Sequence, residues 1–311
     1  MMLARVADSL YWIGRYVERA EHVARLADVM LTATLDRAET AAQVARIALS
    51  AVGDATPEKI ATPFESARAL ALDRMDGSSV VSSLALAREN ARQVRDQITS
   101  ETWERLNLVH LRLSGAMAAK SFNDGSSAFL HDIIADLHLF KGAADATMSH
   151  GEGWRFLLLG AHLERAQLIG RLLEVCFGRG VERLDHPTLT AVLRMSCALE
   201  PYLRVYTADV RARPILEFLL LNAEFPRSIR FSTDEIEAHL SVLSRHTEAV
   251  HVGPGRLAGR LKARLQYADM AEIEREGSHV FLEGVLAECG AIHSGVYDAF
   301  VAYPLEMRLP A

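Results

Sequence analysis

Apolar residues recur every three or four positions along most of the chain, and nowhere do they alternate with polar ones at period two. In the first stretch, residues 4–37, Val6, Leu10, Ile13, Val17, Ala20, Ala24, Ala27 and Leu31 form one helical stripe. Helices are predicted over 57–72, 79–98, from Ser100 onward, and over 128–149, with a polar break at 121–127. A second long helix is expected over 154–178 and another from Asp185 to about Leu199. Pro201, Pro214 and Pro226 divide the next stretch into short helices and bends. Ser232 is read as the start of a helix running to about Val250, and Gly253-Pro254-Gly255 as a turn. Two helices, 256–276 and 277–300, close the chain. The fold class is all-α, a multi-helix bundle.

Two of these helices repeat each other. Gly14, Glu18, Arg19, Ala20, Arg25, Leu26, Asp28 and Val29 are matched by Gly160, Glu164, Arg165, Ala166, Arg171, Leu172, Glu174 and Val175. The shared pattern is G-x3-E-R-A-x4-R-L-x-[DE]-V at one fixed offset. A weaker echo sets Arg92-Gln-Val-Arg95 beside Arg227-Ser-Ile-Arg230. Duplication accounts for such matching better than coincidence. It predicts two related, pseudo-symmetric halves, 1–150 and 151–311, forming one compact unit because neither long helix can bury its apolar face alone.

At 100° per residue, Asp8, Tyr11, Arg15, Glu18, His22 and Arg25 share a polar stripe, with Trp12, Tyr16 and Arg19 beside it. One reading is a solvated face reinforced by pairs such as Glu21–Arg25. The other, favoured because the charges persist in both copies, is a polar seam inside the bundle. Buried charges must pair or ionisation is costly. Such a seam is therefore either a closed ion-pair lattice or a pocket whose surplus arginines hold an anion. The candidate anion-binding residues are Arg5, Arg15, Arg19, Arg25, Arg92 and Arg95 in the first half, and Arg165, Arg171, Arg227 and Arg230 in the second. Glu18 and Glu164 are candidate general bases if their pKa values are raised, and Tyr11 is grouped with them as a catalytic candidate.

Composition narrows the chemistry. Half of the 311 residues are apolar and the net charge is −6. A general nucleic-acid binder, which needs a basic face, is not expected. Only Lys59, Lys120, Lys141 and Lys262 are lysines, so the positive charge is nearly all guanidinium, suited to two-pronged contacts with carboxylates and phosphates. Cys176, Cys197 and Cys289 are dispersed, which points to a reducing compartment. Arg5 and Asp8 precede any apolar run, and no stretch would span a membrane, so the expected location is the cytoplasm. Gly-rich phosphate loops and G-x-S-x-G elbows are missing, so no directly bound cofactor is expected. Glu248/His251 and Glu276/His279 have the E-x-x-H spacing of carboxylate di-metal bundles, and His131, Asp132, Asp136 and His138 cluster on one helix. The breaks near the first two pairs and the ordinary surface look of the third leave no metal expected.

The segment from Arg5 to His22, R-V-A-D-S-L-Y-W-I-G-R-Y-V-E-R-A-E-H, resembles the opening of the bacterial alpha-E domain family. Asn90-Ala-Arg92-Gln-Val-Arg95-Asp96 with Trp103, Glu104 and Asn107 resembles its second signature. Glu164-Arg165-Ala166 and Pro226-Arg227-Ser228-Ile229 resemble its later ones. The likeness covers essentially the whole chain; the second copy departs at Ala161, where the first has Arg15. The resemblance implies an all-helical protein encoded beside, or fused to, a circularly permuted ATP-grasp ligase, often with transglutaminase-like and proteasome-related peptidases. That context implies a role in making or modifying a peptide or amide-linked metabolite. The ligase, not this chain, would use the ATP. The chain would be an enzyme or substrate-handling partner for an anionic or peptide substrate; the alternative is a non-catalytic docking subunit with a structural charge seam.

Overall fold

In the computed structural model, the described residues are 2–35, 37–53, 62–178, 184–207, 209–244 and 252–302. Fifteen helices lie among them, without strands. The apolar spacing that predicts the first helix gives one unbroken element, α1 Ala4–Ala33. There follow α2 Ala38–Val52, α3 Pro63–Leu72, α4 Val80–Gln93, α5 Ser100–Ser114, α6 Ala118–Asp124 and α7 Ser126–Thr147. The second signature helix is α8 Glu152–Phe177. Next come α9 His186–Met195, α10 Leu199–Tyr206, α11 Ala212–Leu221 and α12 Ile229–Leu243. The last three are α13 Val252–Gln266, α14 Met270–Glu276 and α15 Ser278–Phe300.

α1 is the axis of the molecule. It packs on α8 above all, and also on α4, α3, α7, α2 and α9. Polar as well as apolar positions are therefore buried, including Arg15, Glu18, Glu21 and His22. The bland expectation of a solvated polar face fails for these four residues, while Asp8, Trp12, Tyr16 and Arg19 stay partly exposed. One continuous apolar core runs from Ala7 to Val296 and includes residues of both sequence halves.

Several boundaries differ from the sequence reading for local reasons. Residues 38–52 form α2, ended by Gly53 in the left-handed region at φ 92°. The expected break at 121–127 is narrower, because α6 continues through Asp124 and α7 begins at Ser126. α12 starts at Ile229, since Ser228, not Ser232, caps it by accepting from Phe231 N. Gly253, Pro254 and Gly255 lie in the first turn of α13 instead of a turn between helices; proline is tolerated there because its missing N–H would have no helical partner. Residues 256–276 are two helices, α14 being capped by Asp269.

The loops entering α4 and α12 are built alike. Ser79 Oγ donates to Asp73 O and accepts from Ser82 N; Ser228 Oγ donates to Asn222 O and accepts from Phe231 N. Asp73 Oδ1 accepts from Met75 N, and Asn222 Oδ1 from Glu224 N. This matches Ser79 with Ser228, and so Ser78 with Arg227. The echo between Arg92–Arg95 and Arg227–Arg230 is thus not a structural equivalence. Arg92 ends α4, whereas Arg227 precedes the cap of α12.

Candidate functional site

The repeated glycines bring the two signature helices into backbone contact. A Cβ on Gly14 would lie 1.9 Å from Leu157 O, and one on Gly160 would lie 2.0 Å from Tyr11 O. Each glycine meets the carbonyl three residues before the other. Four and five residues further on, the Glu-Arg pairs then fall opposite each other. Glu18 accepts from Arg165 Nε and Nη2 at 2.8 Å each, and Glu164 accepts from Arg19 Nε at 2.7 Å. The G-x3-E-R spacing is thus the geometry of a reciprocal crossing.

Other side chains complete a network around this core. Arg15 Nε donates to Glu164 at 2.6 Å, and its Nη2 to Gln167 at 2.6 Å. Lys141, from α7, bridges Glu18 and Glu21 at 2.5 Å each. Arg227 donates to Glu21 and lies 3.4 Å from Glu18. Arg25 holds Glu21 Oε1 through two N–H groups at 2.9 and 2.8 Å. Six cationic side chains, Arg15, Arg19, Arg25, Lys141, Arg165 and Arg227, therefore pair with three buried carboxylates, Glu18, Glu21 and Glu164. Positive charge is in excess, and every carboxylate oxygen has a partner.

Protonation follows from this crowding. Burial alone would raise the Glu18 carboxyl, but Arg165, Lys141 and Arg227 override it and hold it well below the usual range. Burial likewise opposes ionisation of Glu21 and Glu164. Lys141 and Arg227 prevail at the first, Arg15 and Arg19 at the second, and both fall. This is the opposite of the raised pKa that a general base at Glu18 or Glu164 requires. Burial pushes the Tyr11 hydroxyl up to about 12 despite Arg15, so it is a neutral hydrogen-bonding group. Tyr11 Oη lies 2.8 Å from His293 Nδ1, and Arg15 Nη1 lies 3.0 Å from the same atom. Guanidinium only donates, so Nδ1 accepts and the His293 proton sits on Nε2.

Of the expected arginines, Arg15, Arg19, Arg25, Arg165 and Arg227 meet at the seam. Arg5 and Arg171 are exposed outside this network. Arg92 is exposed and pairs with Glu89 on its own helix. Arg95 stands over Trp103, its Nη1 donating to Ile98 O. Arg230 caps the end of α11 by donating to Leu221 O at 3.3 Å. The residues that sequence reasoning missed are Glu21, Lys141, Gln167 and His293. Glu21 and Gln167 hold the same place in the two copies, three after the repeated glutamate, and that shared place is a readable signal.

One of these cations, Arg25, also lines a groove. Beside the C-terminal half of α1 runs a groove of about 500 Å³ lined by Arg25, Asp28, Val29 and Thr32, with His131, Ile134, Ala135 and His138 of α7, Arg194 of α9 and Glu200 of α10. A further 260 Å³ continues along Val29, Thr32 and Arg194 towards His186 and Thr190. The candidate metal cluster on α7 is dispersed around this groove. His131 pairs with Asp28 at 2.9 Å, Asp132 and Asp136 with Arg112, and His138 with Glu21 at 3.2 Å. Gly277, at φ 99°, separates Glu276 on α14 from His279 on α15. Glu248 and His251 lie outside the described residues. The thiols of Cys176 and Cys289 are buried and pushed up by that burial. No described helix is long and apolar enough to cross a membrane.

Comparison with known proteins adds the family but no chemistry. The uncharacterized protein Rv2567 of Mycobacterium tuberculosis and the uncharacterized protein Mb2597 of Mycobacterium bovis are each 25% identical over 327 aligned residues, covering 94% of this chain. The chain spans about a third of those relatives, 35% of their length. No solved structure matches. The model of the Alpha-E family, described as a predicted alpha-helical domain with a conserved ER motif, matches residues 2–301. Among the chain's Glu-Arg dipeptides, Glu18-Arg19 and Glu164-Arg165 are those that cross-pair at the seam, and the chain belongs to the Alpha-E family.

Proposed function

We propose that this chain is a substrate-handling partner of an ATP-grasp ligase in forming or modifying an amide or peptide-linked metabolite. It binds an anionic substrate in the groove beside α1. The observation that carries this reading is the groove where Arg25, the one seam cation that lines it, stands with His138 and Arg194. Arg25 is fixed by Glu21, so its position is set before a ligand arrives, and pre-organisation favours affinity. The ligase would supply an activated carboxylate. This chain would hold the acidic partner by paired guanidinium contacts, with the buried carboxylates serving as permanent counter-charges, not as proton acceptors.

A second reading, a non-catalytic docking subunit, has its own support: all six oxygens of Glu18, Glu21 and Glu164 are satisfied within the protein. Product analysis by mass spectrometry separates the two, using the chain, its cognate ligase, ATP and amino acids. With Arg194→Ala, the substrate-handling reading expects product to fall at least tenfold while the melting temperature is unchanged. Full product formation by both Arg194→Ala and Arg25→Ala would leave only the docking reading.

A further inference from the structure

The face of α8 turned towards α12 carries a second polar group that the seam does not use. His162 is buried on α8. On α12, Glu235 and His239 are four residues apart and so share one helix face. One donor atom from each of the three lies within 4.8 Å of the others. Glu235 Oε2 is 3.8 Å from His239 Nε2. The two imidazole rings are 6.0 Å apart, centroid to centroid. Nδ1 of His162 and both ring nitrogens of His239 are buried without a hydrogen-bond partner. Native structures rarely leave buried polar atoms unpaired, and an aliphatic side chain would fill such a place at less cost. The first half of the sequence has Tyr16, Leu86 and Asn90 at the equivalent positions, so the set is not a by-product of duplication.

We propose that His162, Glu235 and His239 bind one divalent transition-metal ion of the zinc class, with a fourth coordination position left open. Two imidazole nitrogens and one carboxylate oxygen make a donor set that zinc accepts in tetrahedral geometry at about 2.0–2.2 Å. Donor atoms around such an ion are roughly 3.3–3.5 Å apart, so small side-chain rotations close the present triangle. The ligand form of histidine is already in place. Burial, then Arg165, keeps His162 neutral at ordinary pH, and burial with Arg155 brings His239 down to about 4. Entry is from the Glu235 side, whose side chain is 40% exposed while that of His239 is 4% exposed. Trp154, edge-on to His239 at 5.5 Å, and Phe231, 6.1 Å from His162, form an apolar wall. Such a wall limits water access and strengthens the metal's field on its ligands. The nearby guanidinium groups favour an anion, hydroxide or carboxylate, in the fourth position.

The test uses the tag-free full chain, stripped with chelator and titrated with Zn²⁺ or Co²⁺. The expected result is one ion per chain, with the visible absorption of low-coordinate Co²⁺ and an X-ray absorption edge fitted by nitrogen and oxygen neighbours. His162→Ala and His239→Ala, checked for folding by circular dichroism, lose more than the roughly 10–100-fold in affinity that loss of an outer partner costs. His239→Asn, which keeps bulk, serves if alanine unfolds the chain. Sulfur in the metal's coordination shell, no uptake by the folded wild type, or undiminished uptake by a folded His239 variant would overturn the proposal.

Discussion

Glu18 is fully buried and meets Arg165, Lys141 and Arg227 at once. Removing its charge leaves three cations with less compensation, two of them, Arg165 and Arg227, largely buried. Breaking a buried pair by deleting one partner typically costs about 3–5 kcal/mol. Glu18→Gln is expected to lose that much in urea denaturation, whereas Glu89→Gln, at an exposed pair with Arg92, changes nothing measurable. This contrast also marks how much is legible from residues alone. Arg15, Arg19 and Arg165 are legible because their helical spacing from a repeated glycine puts them at the crossing. Arg92 and Arg95 fall elsewhere because a match in residue letters is not a match in register: the loops that are built alike set Ser79 beside Ser228. Lys141 is invisible as a partner, since nothing in a sequence says which face of α7 meets α1.

Among the helices, the α1–α8 crossing depends on two missing side chains. Gly14→Ala would drive a methyl group to 1.9 Å from Leu157 O, a backbone atom that no rotamer change can move. Overpacking of this kind costs about 1–3 kcal/mol or more, and we expect the upper end, read as a lower urea midpoint. Gly142→Ala on α7 has the opposite sign: a Cβ there meets nothing within 4 Å, and alanine in a helix interior is favoured by about 0.5–1 kcal/mol. Helix existence and order are largely legible from the apolar period. The errors fall at ends and junctions, where one capping side chain decides. Ser228 rather than Ser232 starts α12, and Asp269 divides what reads as one helix into α13 and α14.

Across the whole molecule, the buried histidines set the acid limit before the carboxylates do. His22 falls to about 4, through burial and then Arg227, against an ordinary value of 6.5. Between those values the unfolded chain binds the proton that the folded chain refuses, so stability falls as pH drops from 6.5 towards 4. The loss from His22 alone is of order 3 kcal/mol. Glu18, Glu21 and Glu164 are lowered in the folded state, so their contribution is complete above 4.5 and is lost progressively as the pH falls below it. His22→Leu, which copies Leu168 of the other signature helix, should make the limb between 6.5 and 4 shallower in pH-dependent denaturation curves, with His162 and His239 accounting for what remains, and leave the lower limb intact. The meeting of Gly14 with Gly160 has a mechanical consequence as well. Backbones in contact cannot slide past each other without lifting apart, so the two helices are left with scissoring about that one point. The arm of α1 from Gly14 to Ala33 is about 29 Å long at 1.5 Å per residue. A swing of about 5° about this fulcrum would carry its tip about 2.5 Å, enough to widen or narrow the groove beside Arg25 while the paired charges at the hinge stay in place.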